Sequence, residues 1–169
     1  MDETYIRSSL LKWIVDFVEQ PNSLLGDWPP CPYARKARLD NKFKILFDYS
    51  KDFADSIAYS KLLLETNDVV IVCFDHTQIN VDDVQQLVIS NNKSLMQEDY
   101  VILEDHPDAA EFVNGLNMNF GKCGLLLIQQ LSKLTTASDQ LQTKGYYNHW
   151  DKKSYQEVVA WRQFPNSVK

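Results

Sequence analysis

Glycine and proline are scarce in this 169-residue chain, at 5 and 6, which excludes a low-complexity linker and a fibrous repeat. Cysteine is scarcer still. Cys31, Cys73 and Cys123 are odd in number and widely spaced, so a secreted disulfide framework is not expected and reduced thiols are. No run reaches the ~18 apolar residues needed to span a bilayer, and Met1 to Thr4 has neither the basic start nor the apolar stretch of a signal peptide. The expectation is a cytoplasmic protein with no membrane partner. Basic residues are outnumbered, 17 Lys+Arg against 23 Asp+Glu, for a formal net charge of -6. Such a surface repels a phosphate backbone and argues against a nucleic-acid partner.

What is present points to a packed core. Hydrophobic residues make up 44% of the chain and aromatics 12%, enough to bury a substantial interior in one domain covering residues 1–169. Three apolar runs share an ending: Lys42–Tyr49, Val69–His76 and Tyr100–His106 each close on an aspartate followed by a ring, as Asp48-Tyr49, Asp75-His76 and Asp105-His106. Val69–Phe74 is almost wholly β-branched and apolar, the mark of a strand buried on both faces. Parallel strands here would bring Asp48, Asp75, His76, Asp105 and His106 to one sheet edge, where open α/β sheets place their ligands.

Helical patterns separate these runs. Ser50 caps a helix to about residue 65. Thr77 or Asn80 caps another that ends near Asn91-Asn92, and Pro107 with Asp108 and Glu111 has the spacing of a third helix start. The strand–helix alternation implies right-handed βαβ units. The fold class expected is α/β: a small two-layer or three-layer sandwich with a mainly parallel sheet of three to four strands flanked by helices. A ferredoxin-like α+β arrangement is the alternative, and an antiparallel member there would split the three endings.

Outside that core, residues 4–19 carry a helical apolar stripe, and Pro21–Pro32 holds four of the six prolines, making a stiff connection. Asn114–Gly124 is rich in turn formers and reads as an ordered loop. Leu127, Leu131, Leu134 and Leu141 fit a helix face, although Leu125–Ile128 alone also fits a short strand. A short helix over Ser154 to Arg162 packs Val158, Val159 and Trp161, and Pro165 ends it, after which the last residues are expected to fray.

Several side chains have chemical capacity. Cys31, between Pro30 and Pro32, has Arg35 and Lys36 within one turn and free backbone N–H groups if a helix starts at Pro32; these would stabilise a thiolate. The other reading of Cys31 is a small buried residue beneath Trp28 and Tyr33. His76 and His106, each beside a carboxylate, suit a divalent metal, with Cys31 as a further ligand. The same residues suit metal-free chemistry, with Cys31 as nucleophile and a histidine as base, oriented by Asp75 or Asp105. Surface or capping histidines are the plainer alternative. Arg35, Lys36, Asn117, Asn119 and Lys122 are candidate anion contacts. His149 and Trp150, in the aromatic stretch Tyr146–Trp150, are candidates to close over a planar ligand or to lid the core.

A helix with a Trp, a Leu-rich turn into Cys31-Pro32-Tyr33-Ala34, and later strand ends at His76 and His106-Pro107 together resemble a bacterial family of unknown function. Its members carry Cys-Pro-Phe-Ala and two strand-end His-Pro pairs. The likeness covers roughly residues 10 to 135. It departs at Thr77, where the family has Pro, and in the Asn114–Gly124 loop. The resemblance implies that Cys31, His76 and His106 act together, and it carries no activity. Two functions are expected: a small enzyme, metal-dependent or thiol-based, acting on a small-molecule substrate, or a non-catalytic module that binds a protein partner or small ligand.

Overall fold

The computed structural model describes residues 1–163. The three expected runs are strands β1 (Phe43–Asp48), β2 (Val69–Phe74) and β3 (Tyr100–Asp105). Phe112–Val113 and Leu116–Asn117 form a two-stranded hairpin, β4 and β5, and Gly124–Gln130 is β6. The main sheet has the order β1-β2-β6-β3. Only β1 and β2 pair in parallel, because β6 runs antiparallel to both of its neighbours. The sheet is therefore mixed rather than mainly parallel. A β-α-β-α-β sequence followed by a hairpin and an inserted strand is not the ferredoxin-like βαββαβ order either.

The correction comes from the leucine run. Leu125, Leu126 and Ile128 are 1% exposed or less, as an apolar run must be when it lies between two neighbouring strands with both faces covered. The helix expected over this stretch starts later, as α5 (Leu131–Thr143). Its amino end is held from a distance by Asp99, whose carboxylate accepts from Ser132 N–H at 2.8 Å and Ser132 Oγ at 2.7 Å. Because β6 opposes both β2 and β3, the strands β1, β2 and β3 still point the same way. Their carboxyl ends share one edge, as the endings suggested.

Helices cover both faces. On one side, α3 (Ala54–Leu63) and α4 (Val81–Leu95) set Ile57, Val84, Val88 and Leu95 against Val70, Val72, Phe74, Ile102, Leu126 and Ile128. On the other, α1 (Glu3–Trp13) and the π-helical turn Ile14–Val18 set Ile6, Leu10 and Ile14 against Ile71, Cys73 and Leu125. The i, i+4 spacing of that stripe is the helical periodicity of the sequence, and Asp2 caps it by accepting from Tyr5 N–H at 3.0 Å. A short helix α2 (Ala34–Leu39) follows the proline-rich stretch, and α6 (Lys152–Val158), capped by Asp151, precedes a 3-10 turn over Ala160–Gln163. The expected stop at Pro165 and the fraying of the last residues lie outside the described residues.

Two other expectations change. Asn91-Asn92 does not end α4, which runs on to Leu95. No helix begins at Pro107 among the described residues; a turn closed by Ala109 N–H to His106 O at 2.9 Å leads into the hairpin. Asn119 holds this segment open as a loop, accepting from Glu111 N–H at 2.7 Å and donating to Ala109 O at 2.9 Å. No helix is long and apolar enough to cross a membrane among the described residues.

Candidate functional site

At the shared strand edge, each aspartate serves the backbone around it. Asp48 accepts from Ser50 N–H and Ser50 Oγ, both at 2.6 Å. Asp75 accepts from Thr77 Oγ1 at 2.8 Å and Thr77 N–H at 3.1 Å, and these bonds hold its carboxyl below the usual range. Asp105 is buried, accepting from Asn119 Nδ2 at 2.7 Å and Phe120 N–H at 2.9 Å. Burial nonetheless pushes its carboxyl up against those bonds.

The two histidines do meet. The His76 and His106 ring centroids are 5.9 Å apart, edge to face. His106 is 2% exposed, however, and both of its ring nitrogens are engaged. Nδ1 accepts from Asp108 N–H at 3.2 Å, which assigns the proton to Nε2, and Nε2 donates to Ile79 O at 3.1 Å. Neither Asp75 nor Asp105 orients an imidazole, since their bonds go to Thr77 and to Asn119 and Phe120. Among the described residues, no group of three or more His, Cys, Asp or Glu side chains is arranged to hold a metal ion. Cys31 thus does not complete a ligand set with His76 and His106.

Cys31 lies elsewhere, against the π-helical turn, with its N–H donating to Val18 O at 3.1 Å. The backbone N–H groups of Tyr33 and Ala34 face its sulfur as anticipated, yet the surrounding protein outweighs them and, with the charge of Glu19, pushes the thiol up. The nearby cations are committed to other partners. Arg38 holds Glu19 through two bonds of 2.7 and 2.9 Å, and Lys36 pairs with Asp40. Arg35 and Lys122 are simply exposed. Asn117 accepts from Asn119 N–H at 2.9 Å, and Asn119 donates to Asp105, His106 and Ala109, so both asparagines work as loop struts. His149 packs on Gly26, where a Cβ would come within 2.4 Å of its Nε2. Trp150 takes a different position, lining a large open space.

That space is a cavity of about 990 Å³ running along the free edge of β3 and under the carboxyl-terminal elements. Trp13 and Phe17 wall one side, Leu125 and Leu127 come from β6, Leu134 and Leu141 from α5, and Tyr146, Tyr147 and Trp150 from the turn after it. Cys31 opens onto it, which is how its thiol is both solvent-accessible and enclosed. The sequence placed neither this cavity nor Arg162 and Glu111 within it, although it singled out Asp105, Cys31 and Trp150 of its lining. Arg162 is only 6% exposed, and among the described residues its Nε and Nη1 have no hydrogen-bond partner. Its Nη2 makes one long contact to Ser138 Oγ at 3.4 Å. Trp150 Nε1 is also buried and, among the described residues, makes no well-formed hydrogen bond, although the Tyr146 hydroxyl lies near it. The sequence offered only an arginine directly after the apolar run Val158–Trp161, which by itself does not separate a buried cation from an exposed one.

A second charged group lines the same space. Glu104, Asp105 and Glu157 surround Glu111, and the enclosing protein together with these like charges pushes the Glu111 carboxyl up to about 7. Comparison of the chain with protein-family models, with curated proteins and with solved structures returns no match.

Proposed function

We propose that this protein is a small-ligand-binding module and that the ligand occupies the cavity beneath α5 and α6. The observation that carries the reading is the cavity itself, about 990 Å³ with seven aromatic side chains among its lining, namely Trp13, Phe17, Tyr33, Tyr146, Tyr147, Trp150 and Trp161. Sites for small molecules fall at roughly 300–1,000 Å³ and are mostly apolar with a few placed polar groups. A ligand with an apolar body that enters such an aromatic-lined space is stabilised by removal of its apolar surface, and that of the lining, from water.

The enzyme reading has less support. His106 uses both ring nitrogens on the backbone, and the Cys31 thiol is pushed away from its thiolate. If Cys31 and its Cys-Pro-aromatic-Ala segment serve a function, the cavity wall is where they would act. The test is titration with the neutral dye Nile red, followed by fluorescence, beside an Ala137→Trp variant that fills the cavity from α5. Saturable one-site binding that the variant loses supports the reading. Dye binding that never saturates, or that the variant leaves unchanged, overturns it.

A further inference from the structure

Among the described residues, the cavity contains a cation with nothing of opposite charge against it. A guanidinium stays protonated even when buried, and burying an unpaired charge is costly unless a counter-charge and hydrogen bonds compensate. Arg162 is 6% exposed. Among the described residues no carboxylate lies within 4.0 Å of it, two of its three nitrogens lack partners, and the third makes only the 3.4 Å contact to Ser138 Oγ. Burial weighs against its charge, and the nearby phenols of Tyr147 and Tyr155 are uncharged at neutral pH. The acids of the cavity act on Glu111 instead, so the space has a cationic place and a separate acidic one.

Resting on the small-ligand reading, we infer that the ligand is a monocarboxylic acid with a bulky apolar or aromatic body, its carboxylate held by Arg162 beside Ser138 and Trp150. A carboxylate laid along either fork of the guanidinium makes charge-assisted bonds in a water-poor setting, where they are strongest. Trp150 Nε1, which lies near the Tyr146 hydroxyl but makes no well-formed hydrogen bond among the described residues, can donate to the same end of the ligand. A phosphate fits less well: among the described residues, Arg162 and Lys153 are the only cations lining a space that also holds Glu104, Asp105, Glu111 and Glu157. A second negative charge would add repulsion without a second buried partner.

The experiment compares naphthylacetate with naphthylacetamide by isothermal titration. The two share one apolar body and differ at the head group, an anionic carboxylate in one and a neutral amide of similar size in the other. In the unaltered protein the acid should bind at least about tenfold tighter than the amide, the ordinary worth of a charged hydrogen bond over a neutral one. Arg162→Met should remove that preference while leaving amide affinity within about threefold, and Arg162→Lys should restore part of it. Equal affinities of acid and amide in the unaltered protein would overturn the carboxylate inference and leave the cavity reading standing. Arg162→Met weakening both compounds equally would also overturn it. If neither compound nor Nile red binds, the underlying ligand-binding reading fails instead.

Discussion

The side-chain amide of Asn92, in α4, closes both outward backbone bonds of Ile102 in the edge strand β3, donating to Ile102 O at 2.9 Å and accepting from Ile102 N–H at 2.9 Å. Asn92 is 2% exposed and Ile102 fully buried. The pair therefore does for the sheet edge what a further strand would do, and it blocks a foreign strand from adding there. Asn92→Leu keeps the volume and removes both bonds, leaving a buried N–H and C=O unpaired. Urea unfolding should show a loss of about 2 to 4 kcal/mol, and sedimentation should show new self-association. A loss under about 0.5 kcal/mol, the scale of a neutral surface change, would mean the edge groups find other partners.

Glu111 gives the protein a pH dependence of definite sign. Its folded carboxyl sits at about 7, against about 4.3 in an unfolded chain. The folded state holds the proton more tightly, so the contribution is complete below the unfolded value and is lost as pH rises through the folded one. Asp105, also raised, acts in the same sense. Asp75 and Asp151, held low by bonds from Thr77 and Ser154, act oppositely and only below about pH 4. Between about pH 4.5 and 7 the urea midpoint should fall in the native protein and fall less in Glu111→Gln. Parallel slopes for the two proteins would remove Glu111 as the cause.

Gly124 and Phe74 are partners in the β2–β6 pairing. A Cβ at position 124 would lie 2.1 Å from Phe74 Cζ, so the ring covers the glycine. Gly124→Ala should cost about 1 to 3 kcal/mol through overpacking. Because Phe74 also meets Phe53 edge to face and lies near His106, the displacement should spread to the His76–His106 pair. Phe74→Leu in the same chain should recover part of the loss. A double variant no more stable than the sum of its singles predicts would show that the clash is not with that ring.

Cys31 is exposed, while Cys73 and Cys123 are buried. Folded protein should therefore react with a chromogenic disulfide reagent at one thiol and denatured protein at three. The rate at Cys31 should keep climbing through about pH 8.5, the ordinary thiol value, without levelling. A plateau near neutral pH would reveal a stabilised thiolate and return weight to the enzyme reading.

Asp99 takes a left-handed backbone conformation, φ 68°, and aims its carboxylate at the start of α5. Asp99→Ala removes a helix cap and strains the turn, with a combined cost of about 1 to 3 kcal/mol. Asp99→Asn, which tolerates the conformation and still accepts a hydrogen bond, should lose less than half as much in the same thermal measurement. Equal losses would assign the effect to charge alone.

The legible parts of the fold were those set by local periodicity. The alternation and β-branching of β1, β2 and β3, the i, i+4 stripe of α1 and the Asn80 cap of α4 all belong to short windows of sequence. The shared strand edge was legible too, because three repeated endings imply a common direction whichever strand lies between them. β6 was not, since Leu125–Ile128 suits a helix or a strand until its two neighbours are known. Asn92 reads as a helix stop by composition and becomes a core residue only through a bond to Ile102 in another element. The cavity was illegible for the same reason at larger scale. Its walls come from residues 13 to 162, and Arg162 has no local pattern that separates a buried cation from an exposed one.

The strand that joins the two halves of the sheet is the last of the four to leave the ribosome. β6 lies between β2 and β3 in space yet follows both in the chain. Until Gln130 is synthesised, β2 and β3 cannot be bridged, and each presents an open strand edge to whatever is nearby. Completion depends on contacts between residues far apart in sequence, the kind that close slowly. During synthesis the growing chain is exposed to strand-mediated aggregation. Its late, largely apolar central strand is the segment whose delay would do the most harm.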